Sequence, residues 1–222
     1  MAGDYTRQIP RRGFALAMAA TILMMAAASA PSLFYPQIAE QLGLVPVATT
    51  LVFAVYTFTL LAALLYLGPL SDHIGRRPVV TAGSLALALS LAMFWFADSL
   101  ATLLVARALQ GLAAGLLIPA LSAMMIDFEP PSHPNIAALW NTIGPMIGLG
   151  TGALGAALLL DLTPEPTAAV FGPLVLAFLT VAATVWSTPE LVPKTRIRRG
   201  DLRPRFMVPL HLRRMFTAGV PA

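Results

Sequence analysis

Few residues of this chain are suited to chemistry, and the first is Arg107, which stands with Gln110 and Gly111 inside a long apolar run. An arginine near the centre of a bilayer costs about 2.5 to 3.5 kcal/mol on insertion scales, so it normally faces a cavity or a partner. Its guanidinium does not titrate at physiological pH, so Arg107 alone cannot load and unload protons. It lies seven residues from Leu100, about 10 Å into a helix that rises 1.5 Å per residue. That depth also permits snorkelling towards the outer surface, and both readings stand open at this point.

A second cluster is charged: Gly68-Pro69-Leu70-Ser71-Asp72-His73-Ile74-Gly75-Arg76-Arg77-Pro78, between two apolar runs. Asp72 can complement the positive N-terminal end of a neighbouring helix, and Arg76 and Arg77 can anchor at headgroups. Gly75 can supply the backbone conformation that a tight connection between two helices requires. A third group, Gly144, Pro145, Gly148 and Gly152, carries no reactive atom. Its glycines recur every fourth residue and share one helical face, which permits close approach of a neighbouring backbone. The chain has no phosphate-binding glycine loop, metal-ligand cluster, cysteine, or nucleophile with a base at recognisable spacing. An ATP-driven pump, a membrane enzyme, and a metal or cofactor site are unsupported. No aspartate or glutamate lies well inside an apolar run either, so the carboxylate of a proton carrier is missing from this stretch.

The elements that must position these residues are helices in lipid. Of 222 residues, 58% are hydrophobic and 11% charged, and the mean hydropathy of +0.79 is far above what a water-soluble domain can solvate. The apolar residues form six runs of bilayer-spanning length: Phe14 to Phe34, Thr49 to Leu70, Val79 to Ala97, Leu100 to Met125, Ile136 to Leu160 and Ala168 to Ser187. Residues 1–13 then read as a cytoplasmic N-terminal segment, 14–187 as a six-helix bundle, and 188–222 as a basic cytoplasmic loop that reaches towards a seventh helix. Ala28-Ser29-Ala30 offers a small-residue cleavage site, but Pro31 follows directly and the apolar run continues through Phe34, which favours a retained span over a signal peptide.

Positive charge sorts by side. Arg7, Arg11 and Arg12 precede the first run, Arg76 and Arg77 follow the second, and the remaining lysine and arginines apart from Arg107 follow the sixth. By the positive-inside rule both termini are cytoplasmic, and the net charge of +4 is directed at the membrane surface rather than at nucleic acid. Asp127 to Pro134 departs from the rule, with two acids and no lysine or arginine on the same side. Pro31 and Pro119 fall late in the first and fourth runs, a weak sign of a three-plus-three inverted repeat.

On these motifs the chain resembles the N-terminal six-helix half of a major facilitator superfamily transporter. Gly68, Leu70, Ser71, Asp72, Gly75, Arg76 and Arg77 match the family's signature loop at the correct spacing, with His73 in place of its usual arginine. Arg107, Gln110 and Gly111 are similar to its arginine-any-any-glutamine-glycine motif. Gly144-Pro145 onward resembles the glycine-proline motif of drug/proton antiporters, except that Leu149 separates the last two glycines. The resemblance implies an all-α fold, half of a twelve-helix transporter with a three-plus-three inverted repeat, in a bacterial inner membrane. It implies a latch at residues 68–77, proton coupling or substrate contact at Arg107, Gln110 and Gly111, and a hinge and seal at Gly144, Pro145, Gly148 and Gly152, for which plain packing is an equal reading. The expected partners are the bilayer, a small organic substrate with protons, and either a missing C-terminal half or a second copy; no cofactor is expected. Export coupled to protons leads, against metabolite uptake by symport or a non-transporting scaffold.

Overall fold

The computed structural model describes residues 2–191, and every regular element among them is helical. The elements are α1 (Ala2–Ser29), α2 (Tyr35–Gln41), α3 (Pro46–Leu67), α4 (Leu70–Ile74), α5 (Arg76–Trp95), α6 (Leu100–Asp127), α7 (Ile136–Leu162) and α8 (Pro166–Thr184), with 3-10 turns at Ala30–Leu33 and Val185–Ser187. Six stretches are long and apolar enough to cross a membrane, and their ends lie within three residues of the expected runs. The basic stretch from Lys194 to Arg214 lies outside the described residues.

Small corrections to those ends have local causes. Helix α3 begins at Pro46, before the apolar run, because proline at a first helical position gives up an N–H that has no partner anyway. Helix α5 begins at Arg76, a residue that hydropathy excludes but that the turn at Gly75 starts into a helix. Ser99 opens α6 by accepting the Thr102 N–H at 3.2 Å. Of the two late prolines, Pro119 lies inside α6, whereas Pro31 falls in the 3-10 turn after α1.

Helix α6 is the hub, packed against α3, α5 and α1, while α5 also meets α8 and α1 meets α7. Two of the seams are related as an inverted repeat would relate them: exchanging α1, α3 and α5 for α6, α7 and α8 turns the α1–α7 contact into α6–α3. Both seams close on small residues. A Cβ at Gly111 would run into Thr59 and Tyr56, and one at Gly115 into Ala63. In the other seam a Cβ at Gly148 would reach the Met25 Cβ at 2.6 Å and strike the Ile22 carbonyl, and one at Gly152 would enter the Ala26 backbone. Without a hydrophobic drive between helices in lipid, backbone approach of this kind supplies the packing.

Gly148→Leu is therefore expected to lower stability by about 1–3 kcal/mol through overpacking. Gly150→Leu, on the same helix with nothing within 4 Å of its Cβ position, leaves stability unchanged. Size-exclusion profiles of heated, detergent-solubilised variants check the contrast.

Candidate functional site

Arg107 does not snorkel. It is 2% exposed, enclosed where α6 meets α1, α3 and α5. Its Nε donates to the Tyr35 hydroxyl and its Nη1 to the Gln110 Oε1. Gln110 in turn donates from Nε2 to the Ala27 carbonyl at 2.8 Å, so the amide connects the guanidinium to the backbone of α1. Four rings surround the cation, with its Cζ 5.0 Å from the centroid of Tyr35, 5.2 Å from Phe94 and 5.5 Å from Phe53 and Tyr56. Such rings stabilise a desolvated cation by about 2 kcal/mol in favourable cases. The Nη2 has no hydrogen-bond partner among the described residues.

Helical spacing explains part of this. Gln110 lies three residues after Arg107 and shares its face, while Gly111 leaves room for α3 to bring Tyr56 close. Tyr35 is the partner that sequence reasoning missed. It stands just past the first apolar run, outside every motif, and α2 turns its ring inward onto Arg107. An open cleft of about 380 Å³ lies beside it, lined in part by Ser32, Tyr35, Thr49 and Phe53.

At the opposite end of the bundle, Arg76 collects the charged loop. Its Nε donates to the Asp127 carboxylate at 3.0 Å, and its Nη1 to Ser71 Oγ at 2.8 Å and to Asp72. This brings Ser71, Asp72 and Arg76 together with Asp127 from the end of α6. His73 bonds through Nδ1 to the Pro69 carbonyl at 2.9 Å. Gly75 holds φ at +101°, a conformation that side chains disfavour, as the turn requires. The acids that broke the positive-inside pattern are accounted for here: Asp127 pairs with Arg76, and Glu129 accepts the Ala137 N–H at 2.9 Å near the start of α7.

Of the third group, Gly148 and Gly152 lie in the α1–α7 seam, and Gly144 is in ordinary contact, with Ile22 3.8 Å from its Cβ position. Pro145 lies inside α7, one helical turn before the exposed Leu149.

A bundle of six spanning helices, with a buried guanidinium at its hub and a charged clasp at one end, defines a multi-pass membrane protein of the transporter kind. The profile of the Major Facilitator Superfamily matches residues 17–220, and the chain belongs to that family. It is 32% identical over 219 residues to the multidrug efflux pump LfrA of Mycolicibacterium smegmatis, covering 82% of this chain and 42% of that protein. Similarity extends to the puromycin resistance protein pur8 of Streptomyces alboniger, 29% identical across 65% of this chain and 30% of that one. The multidrug resistance protein MdtL of a Shewanella species is 30% identical across 63% of this chain and 36% of its own. The chain spans less than half the length of these curated relatives.

Proposed function

We propose that this chain is the N-terminal half of a secondary transporter that exports small organic molecules by alternating access in exchange for protons, from a bacterial inner membrane with both termini cytoplasmic. The observation that carries it is the buried Arg107. A cation held in a membrane span by Tyr35, Gln110 and four rings, with Nη2 left over, is expensive to keep unless it meets substrate or a carboxylate from elsewhere in the transporter. The relatives named for multidrug efflux and puromycin resistance point to small organic substrates and to export.

In this reading Arg107, Gln110 and Gly111 form the coupling or substrate site. Residues 68–77 latch this half to a second one. The glycines of α7 with Pro145 serve as hinge and seal. The half that completes the cavity covers the sides of α3 and α7, which this half leaves far more exposed than α6.

The test is flux. The full-length gene product in proteoliposomes, given an inward-acid pH gradient, is expected to accumulate puromycin and to stop when the gradient is collapsed. Accumulation driven by the opposite gradient selects uptake by symport, and no gradient-dependent flux of any small organic probe selects the scaffold.

A further inference from the structure

Helix α5 starts badly by its own sequence. Gly75, its N-cap, has no side chain to accept an N–H, and Arg76 and Arg77 place two cations at the positive end of the helix dipole. Pro78 brings no N–H, so the amides of Arg76 and Arg77 are the donors that most need a partner. Both find the same one. Glu190, three residues beyond the last turn of the sixth span, accepts the Arg76 N–H on Oε1 and the Arg77 N–H on Oε2, each at 3.0 Å. Its carboxylate lies so close to Gly75 that a Cβ there would come within 2.6 Å of Oε2. Thr188 and Val185, just before it, are buried, and Trp186 donates to Thr81 of α5 at 3.0 Å, so the stretch leaving α8 runs against the start of α5.

We propose that Glu190 is a positioning residue that straps the segment leaving the sixth span to the charged loop, holding Arg76 where its side chain can reach Ser71, Asp72 and Asp127. One arginine then carries two loads: its backbone N–H is tied to Glu190 and its guanidinium to the clasp. Any movement of the chain beyond α8 acts on the clasp through this carboxylate. The functional consequence rests on the transporter reading; the strap itself does not.

These 222 residues hold no cysteine, so a thiol introduced among them is the one maleimide target in this stretch, and its labelling is read on the peptide that carries it. Ser71→Cys places it inside the clasp, at a position 2% exposed, and Ser90→Cys places it in the α5–α6 core, at a position 0% exposed. The full-length protein in native membranes is treated with N-ethylmaleimide. Glu190→Ala is expected to speed labelling at position 71 by at least about tenfold, the effect of losing a charge-assisted hydrogen bond. Glu190→Gln, which keeps one acceptor but no charge, falls between Glu190→Ala and wild type, and position 90 stays unreactive in both. Unchanged labelling at position 71, or an equal rise at positions 71 and 90 in both variants, overturns the strap. Slower flux in Glu190→Gln extends it to transport. A wild-type protein without flux but with strap-dependent labelling would sink the transporter reading and leave the strap standing.

Discussion

Arg107→Leu is expected to abolish transport while the protein still inserts and remains monodisperse, and Arg107→Lys is expected not to restore it. The guanidinium makes two directed bonds, from Nε to Tyr35 and from Nη1 to Gln110. An ammonium is a compact point charge that cannot reproduce that fork, nor lie flat among four rings as a guanidinium does. Leucine leaves the Tyr35 hydroxyl and the Gln110 amide oxygen short of a donor, at about 1–3 kcal/mol for each buried group. It also removes the burden of a buried charge, so stability changes by less than the sum. Losing both charge-assisted bonds corresponds to at least about a hundredfold drop in flux, at 1.4 kcal/mol per factor of ten. Flux in proteoliposomes normalised to inserted protein measures it. Wild-type flux in Arg107→Leu would make the arginine structural and remove it from the proposed site.

Tyr35→Phe separates the two kinds of support for that cation. It keeps the ring, 5.0 Å from the Arg107 Cζ, and deletes only the acceptor for Nε. A partial loss of flux, of about tenfold, is expected, smaller than for Arg107→Leu.

The spans were legible because hydrocarbon demands long apolar runs, and that demand is written locally. The same locality explains the misses. Tyr35 sits just past the first run, where apolar counting sees an interface and cannot see that α2 turns the ring back over Arg107, seventy-two positions away in sequence. Glu190 follows a proline in a polar stretch that reads as the start of a loop. Its partners are two amides, which carry no side-chain signal, made needy by a glycine and a proline more than a hundred residues earlier. A signal was available there: an N-cap without an acceptor followed by two arginines requires an anion from somewhere. Asp127 and Glu129 gave a similar one as acids on the side where positive charge belongs, an anomaly that long-range pairing and a helix start resolve. Gly148 and Gly152 were visible as a face but not as a seam, because spacing tells that a neighbour can approach without telling which one does.

Asp72 and Asp127 share Arg76 yet are expected to respond oppositely in two assays. Asp127 is 26% exposed and holds the Arg76 Nε at 3.0 Å; Asp72 is 60% exposed and meets the same guanidinium from the solvent side. An exposed carboxylate adds little to stability, so Asp72→Ala should cost below about 1 kcal/mol. Asp127→Ala removes a more sheltered charge-assisted bond that ties the end of α6 to α5, and should cost about 1.5–3 kcal/mol. Transport reverses the order. If residues 68–77 latch this half to another, the open side of Asp72 is the part that another half can grip, so Asp72→Ala should slow flux by about tenfold, a typical coupling between moving parts. Asp127, the more sheltered of the two, affects flux only as far as it disturbs Arg76. Thermal midpoints and flux on the same preparations decide it. A loop that merely turns the chain would rank the two variants alike in both assays, with Asp127→Ala the worse, and the latch would then have to be withdrawn.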